Sequence, residues 1–327
     1  MQVGRDYVMP GWCRNLIEAG ALRADEKVLV VVDEPLVVQG SQLATAVKEA
    51  GGSTTLALWA GERPLPGAPP EVVAAAERAT LAYFVTERPH PEEAEARSQL
   101  AETMFAHGGR EIYLSFVTPE LLEGELSQPS PELAEPARRL LEQVEGSEVV
   151  RVRGRAGTDL TLTVTGRPWK TDALPLEEGG FANYPGGEVF VAPLKDGAAG
   201  ILVADLTVPY TVEGLVDEPV TLRFEHGRVV EISGGRAAQM LRELVADAGT
   251  GADVIAELGI GLNPAVEPRG NVLLDEKAAR TAHVAIGNNA GPSFGGDNDA
   301  AIHVDCIFSA PEVEADGRRV DLPASPT

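Results

Sequence analysis

The sequence has few cysteine, histidine, aromatic and basic residues, and these scarcities exclude several classes of protein. Its 327 residues include two cysteines, Cys13 and Cys306, which lie far apart and outside any CxxC pair. Neither a disulfide framework nor a cysteine-based structural zinc site is therefore expected. Lysine and arginine number 27 against 50 aspartates and glutamates, which gives a net charge of −23. A field of that sign repels nucleic-acid phosphates and anionic lipid surfaces, so neither is an expected partner.

Long apolar runs are also missing. No stretch reaches the ~20 apolar residues of a membrane-spanning helix, and residues 1–15 have no basic segment followed by an apolar one. We therefore expect a protein that does not cross a membrane and is not exported, with the cytoplasm as its default location. Hydrophobic residues still make up 44% of the chain, enough for a buried core, and the length allows two domains.

The first part of the chain alternates strand and helix signals. Strands are predicted at residues 27–32, 54–59, 80–85 and 111–117, with helices at 41–50, 70–78 and 91–107 between them. This order predicts an α/β domain, residues 1–146, with a doubly wound parallel sheet. Asp33-Glu34-Pro35 follows the first strand in place of a GxGxxG turn, which disfavours a dinucleotide site.

The pattern changes near residue 147. Residues 149–153 and 160–165 alternate with a period of two, and residues 221–224 and 229–232 flank a predicted hairpin turn at Glu225-His226-Gly227. A helix is predicted between residues 236 and 248. Residues 147–327 are therefore predicted to form an α+β domain with a mostly antiparallel sheet.

The sharpest chemical signal is His303-Val304-Asp305. On a strand, residues two apart point to one face, so His303 and Asp305 project together while Val304 faces the core. An imidazole beside a carboxylate can share a divalent cation. The alternative is a histidine and an aspartate that only hydrogen-bond to each other.

Three further residues stand in apolar, strand-like surroundings. His283 lies in Thr281–Gly287, Glu257 interrupts a strand before Gly259, and a Pro-Gly-Gly turn delivers Glu188 into the next strand. Each alone also fits a plain structural role: a core histidine, a buried carboxylate with donors, an exposed hairpin glutamate. Together with His303 and Asp305 they provide three carboxylates and two imidazoles, the inventory of a hydrolytic site with two ions ~3.5 to 4 Å apart.

The motifs NYPGGEVF, AELGIGLNP, DEKAARTAHVAIGNN, FGGDN and IHVDCIF, in that order, resemble those of the aminopeptidase T family of metallopeptidases. The resemblance covers roughly residues 155–310 and includes GTDLTL at 157–162. It implies an N-terminal α/β domain, a C-terminal catalytic domain, a homodimer, and two divalent ions, commonly zinc or cobalt. The implied metal ligands are Glu188, Glu257, His283, His303 and Asp305. Glu188 and Glu257 are also the candidate catalytic groups, as a bridge or a proton shuttle.

The sequence departs from that family at two positions. Ala290, seven residues after His283, stands where the family has a tyrosine, and Arg280 replaces a glycine of the family. The chain is also shorter before the catalytic domain. It resembles, second, the 2,5-dihydroxypyridine 5,6-dioxygenases, which use one ferrous ion; His283, His303 and Asp305 would then form the iron-binding triad. A non-catalytic metal-binding protein is a third alternative. The leading hypothesis is a metallohydrolase that acts on small peptides or another small molecule.

Overall fold

The computed structural model describes residues 7–173, 176, 180–291 and 293–323. The chain divides into two compact units. Met1–Ser130 and Pro175–Tyr184 form the first, and Pro131–Leu174 and Pro185–Thr327 form the second. Within the described ranges, no helix combines the length and the apolar character needed to cross a bilayer.

Helices and strands alternate along the chain up to residue 130. They are α1 Gly11–Ala19, β1 Lys27–Val32, α2 Val37–Glu49, β2 Ser53–Leu58, α3 Pro70–Ala76, β3 Leu81–Val85, α4 Ala94–Phe105, β4 Arg110–Leu114 and α5 Pro119–Glu123. The remaining elements are mostly strands. They are α6 Ala134–Val144, β5 Val149–Arg153, β6 Asp159–Thr163, β7 Lys170–Thr171, β8 Phe181–Asn183, β9 Glu188–Val191, β10 Ala198–Ala204, β11 Val220–Glu225, β12 Arg228–Ser233, α7 Arg236–Ala248, β13 Ile255–Gly261, α8 Val272–Asp275, β14 Thr281–Gly287, β15 His303–Ser309, β16 Glu312–Ala315 and β17 Arg318–Arg319.

A parallel sheet forms the centre of the first unit, with the strand order β2-β1-β3-β4-β8. Strand β1 lies between β2 and β3, so its Val30 is opposite Leu56 of β2 and Tyr83 of β3. Every residue of β1 after Lys27 is buried, as expected of a strand covered on both faces. Leu29 and Val31 pack with apolar residues of α3 and α4. The predicted α/β architecture with a parallel sheet is confirmed.

The sheet's last strand comes from an unexpected part of the chain. Strand β8, which lies within the predicted second domain, pairs in parallel with β4 and places Ala182 opposite Ile112. Helix α6, within the predicted first domain, belongs instead to the second unit. The two compact units therefore do not divide the chain at the predicted boundary between residues 146 and 147. Pairing between segments so distant in sequence leaves no local pattern from which it could be predicted.

Two antiparallel sheets build the second unit. One has the order β12-β11-β10-β6-β5-β16-β17 and the other β15-β14-β13-β9-β7. Apolar side chains from both sheets and from α6 and α7 form one core. Representative members are Val150, Leu160, Leu202, Leu222, Val189, Leu258, Val284 and Val304. The prediction of an α+β region with mostly antiparallel strands is confirmed.

One carboxyl group is buried in the parallel sheet of the first unit. Glu111 of β4 is 2% exposed, and its Oε2 atom has no hydrogen-bond partner in the part of the chain that the structure describes. Burial raises the pKa of Glu111 to about 8, because a low-dielectric interior disfavours the charged form.

We expect Glu111→Gln to stabilise the protein more at pH 8 than at pH 5. An unfolded glutamate has a pKa of ~4.3, so above that value the folded protein binds more protons than the unfolded chain and loses stability as the pH rises. The amide removes this loss, which is on the order of 4 to 5 kcal/mol at pH 8. Urea unfolding at both pH values measures it, with exposed Glu77→Gln as the control. An equal effect at both pH values would contradict a protonated Glu111.

Candidate metal centre

One face of a sheet in the second unit carries the chemically active side chains. Strands β9, β13, β14 and β15 alternate with a period of two, so their apolar residues point into the core of the unit. The opposite face collects the residues that the sequence singled out. They are Glu188, Glu257, His283, His303 and Asp305.

Small residues separate these side chains on the same face. Ala285 of β14 lies opposite Glu257 on one side and Asp305 on the other. Gly259 lies opposite His283, and a Cβ atom added there would come within 2.1 Å of the ring's Cε1. Only glycine therefore leaves room for the imidazole, which lies over the neighbouring strand.

The turn before β9 fixes the backbone of Glu188. Gly187 has a φ of +130°, a conformation that favours glycine. The carboxylate of Asp172 accepts hydrogen bonds from the N–H groups of Gly187, at 2.8 Å, and Glu188, at 2.9 Å. Strand β9 then begins at Glu188 and places its side chain, 5% exposed, on the active face.

Glu257 lies between the two histidines. Its Oε1 atom is 3.5 Å from Nε2 of His283, and its Oε2 atom is 3.4 Å from Nε2 of His303. His283 Nε2 is also 3.6 Å from Glu188 Oε2, and His303 Nε2 is 3.2 Å from Asp305 Oδ1. The structure thus brings all five predicted residues together, with Glu257 shared by two groups.

The orientation of His303 is set from both sides of its ring. Its Nδ1 atom lies 2.6 Å from the carbonyl oxygen of Asn288, and because a carbonyl only accepts, Nδ1 must carry the hydrogen. Nε2 is therefore directed at the carboxylates, with either a proton or a lone pair for a metal. Phe294 stacks on the ring at a centroid distance of 4.7 Å.

Burial and mutual attraction shift the pKa values at this site. Burial would lower the pKa of His283, but the carboxylates of Glu257, Glu188 and Asp305 raise it to about 9. The pKa of His303 is likewise raised well above its ordinary value by Asp305 and Glu257, against the effect of burial. Burial raises the pKa of Glu188 well above its usual range. These carboxylates thus favour positive charge on the two rings.

Sequence reasoning missed three charged residues at the site. Lys277 is fully buried and forms ion pairs with Glu188, with Asp172 at 3.1 Å and with Glu276 at 3.0 Å. Burial raises the pKa of Glu276 to about 7. Glu276 and Lys277 stand inside one of the motifs, but adjacent charged residues usually indicate a solvated surface. Nothing in the sequence of the Gly-rich turn predicted that the carboxylate of Asp172 would accept hydrogen bonds from its backbone.

Ala290 lies in a loop held by buried asparagines. Asn289 donates to the carbonyl oxygen of Ala256 and accepts from the backbone N–H of Asn298. Asn298 in turn donates to the carbonyl oxygens of Gly251 and Gly287. The Asn289 amide is therefore engaged in fixing the loop, and Ala290 itself offers no side-chain donor.

The donor set suits divalent metal ions. Ligand atoms lie within 4.8 Å of one another in two groups, one formed by Glu188, Glu257 and His283 and the other by Glu257, His303 and Asp305. Carboxylate and imidazole ligands bind zinc, cobalt, iron and related ions. Glu188 Oε2 is buried and has no hydrogen-bond partner among the residues described, a state that a cation would relieve.

Curated relatives match 41% to 50% of the chain. It is 32% identical over 182 residues to aminopeptidase T of Thermus aquaticus, covering 49% of this chain and 43% of the relative. Aminopeptidase AmpS of Bacillus subtilis is 30% identical over 188 residues, with shares of 50% and 44%. The 2,5-dihydroxypyridine 5,6-dioxygenase of Pseudomonas putida is 30% identical over 140 residues, with shares of 41% and 39%. Each match thus spans less than half of the relative's length.

Solved structures share the whole fold. The 2,5-dihydroxypyridine dioxygenase from Pseudomonas putida KT2440 superposes with a TM-score of 0.72 at 18% identity, over 97% of each chain. Wild-type AmpT from Thermus thermophilus has a TM-score of 0.66 at 21% identity, over 94% of this chain and 96% of that one. The model of the thermophilic metalloprotease (M29) family matches residues 132–322, more than half of the sequence. The chain therefore belongs to the thermophilic metalloprotease (M29) family.

Proposed function

We propose that the protein is a metallo-aminopeptidase-like hydrolase that removes N-terminal residues from small peptides, using two divalent ions, zinc or cobalt. The observation that carries the proposal is the position of Glu257, whose two carboxylate oxygens face different histidines and join both groups of candidate ligands. A carboxylate in that position is suited to bridge two ions. The family and the aminopeptidase relatives support the same activity.

The charge of the site supports a pair of ions. Five carboxylates and one ammonium lie together there. With both imidazoles neutral, as metal binding requires, the formal charge is −4, which two divalent cations would balance and one would not. The carboxylates belong to Asp172, Glu188, Glu257, Glu276 and Asp305, and the ammonium to Lys277. Uncompensated charges of one sign are costly in a buried site, so the residues favour uptake of both cations.

The residues of the chain would hold the ions and handle protons. Glu188 and His283 would bind one ion, His303 and Asp305 the other, and Glu257 both. When bound, divalent ions polarise a carbonyl oxygen and lower the pKa of water. Glu276, with a pKa of about 7, is suited to exchange a proton near neutral pH. Ala290 supplies no donor to a developing oxyanion, and one such donor is typically worth ~10²- to 10³-fold in turnover, so we propose slow turnover.

A one-ion iron(II) dioxygenase is the second candidate. The observation that favours it is that Nε2 of His303 and Nε2 of His283 both approach Asp305 Oδ1, at 3.2 and 3.8 Å. Two histidines and one carboxylate are the ligands of non-haem iron oxygenases. That reading leaves the positions of Glu257 and Glu188 without a role. The homodimer that the resemblance implies and the cytoplasmic location expected from the composition remain predictions.

A direct assay distinguishes the two candidates. We expect the protein loaded with zinc or cobalt to cleave aminoacyl anilides without oxygen, and His303→Ala to lose this activity. The measurement is anilide release under anaerobic conditions, compared with oxygen consumption by the iron(II)-loaded protein given a dihydroxylated pyridine. Oxygen uptake without anilide cleavage would overturn the hydrolase proposal in favour of the dioxygenase.

Glu257→Gln should remove both ions, whereas His303→Ala should remove one. The difference follows because Glu257 belongs to both groups of ligands and His303 to one. Metal content per chain after dialysis measures it, and circular dichroism checks that the fold is kept. The exposed Glu231→Gln is the matched control and should retain both ions. Equal metal content in Glu257→Gln and the parent protein would exclude Glu257 as a bridge.

Metal affinity should rise with pH between 6 and 8. The pKa of His283 is about 9 and that of His303 is higher than usual, so at neutral pH each ring holds a proton that must leave before Nε2 can bind a metal. Below the pKa, each displaced proton makes the affinity about tenfold higher per pH unit. Calorimetry in buffers of different ionisation enthalpy should record about one proton released per ion. No net release would contradict this assignment.

A further inference from the structure

The proposed hydrolytic chemistry does not itself require Lys277. Its side chain is completely buried, and its ammonium group pairs with three carboxylates. Two of them, Asp172 and Glu276, are not among the proposed ligands, and the third is Glu188. Burying a lysine costs several kcal/mol unless its charge is compensated, so this arrangement is a built part of the site.

The ammonium group holds one particular atom of Glu188. It bonds to Oε1, whereas Oε2 has no hydrogen-bond partner among the described residues and lies 3.6 Å from Nε2 of His283. One oxygen of the carboxylate is thereby occupied, and the other is directed at the candidate ligands. With Lys277 in place, Glu188 can offer an ion one oxygen and not two.

Asp172 completes the support of Glu188. Its Oδ1 atom accepts the backbone N–H groups of Gly187 and Glu188, while Oδ2 lies 3.1 Å from the lysine nitrogen. The backbone of Glu188 is thus held by hydrogen bonds and its side chain by an ion pair, and Asp172 and Lys277 connect the two. Among the residues that the structure describes, the ion-pair partners of the lysine are Asp172, Glu188 and Glu276. Its charge also lowers the pKa of Asp305 through space.

We propose that Lys277 is a positioning residue that orients Glu188 as a single-oxygen ligand and so creates the half of the site formed with Glu257 and His283. This inference rests on the proposed two-ion function. A competing arrangement, in which the ammonium takes the place of an ion, is disfavoured because its three carboxylate partners outnumber its own charge. Groups that hold a ligand in place typically contribute 10- to 100-fold to metal affinity.

The test is a cobalt titration of the full chain, followed by visible absorption and by metal content. Wild type should bind two Co²⁺ ions per chain. Lys277→Met should weaken one of them by about 10- to 100-fold and leave the other unchanged. Lys195→Met, the same substitution at an exposed lysine, should behave as wild type. In a Glu188→Gln background, Lys277→Met should cause no additional loss, because the lysine acts through Glu188.

Two ions bound by Lys277→Met with wild-type or higher affinity would overturn the inference while leaving the two-ion function intact. A wild-type protein that binds no Co²⁺ would overturn both. Lysine-¹⁵N NMR of the wild-type protein gives a second measurement that does not need the variant to fold. A protected Nζ resonance should persist when Zn²⁺ is added, and its loss would mean that the ion displaces the lysine, contrary to the proposal.

Discussion

The candidate site depends on the register of four antiparallel strands, β9, β13, β14 and β15. Because side chains alternate along each strand, the register that buries Leu258, Val284 and Val304 in the core also turns the charged residues to the opposite face. A slip of one residue in any strand would exchange the two sets. The hydrophobic effect in the core therefore holds the charged face in place, although the charges themselves repel one another.

The charged side chains fit together on this face because the residues between them are small and because part of their charge is compensated. Glycine or alanine separates each pair of charged side chains across the strands, so two imidazoles and three carboxylates fit within a few ångströms. The same closeness makes the bare site electrostatically unfavourable. Protons on His283 and His303, together with the ammonium of Lys277, reduce the repulsion. Divalent ions would replace the protons but not the lysine, which also pairs with Asp172 and Glu276, outside both groups of ligands.

Local patterns in the sequence predicted much of this arrangement. Strand β1 and helix α7 begin and end where the apolar runs predict, and the same-face placement of His303 and Asp305 follows from the period of a strand. What could not be predicted depends on contacts between distant segments. The pairing of β8 with β4 joins segments that have no common motif. Lys277 was missed for a related reason. A lysine is expected to be solvated unless its carboxylate partners are known, and two of the three, Asp172 and Glu188, are distant in sequence.

The two chemistries associated with this fold differ in which half of the site they need. His303 and Asp305 would serve a single iron as well as one of two ions, so that half does not distinguish a dioxygenase from a hydrolase. The position of Glu188 is explained only if an ion binds between Glu188, Glu257 and His283. The fully buried Lys277 and the buried side chain of Asp172 both hold Glu188 in place. Burying these charged groups costs desolvation free energy, which is expected where the groups hold a metal ligand in position. The contacts that hold Glu188 therefore argue for the second ion, and with it for hydrolysis.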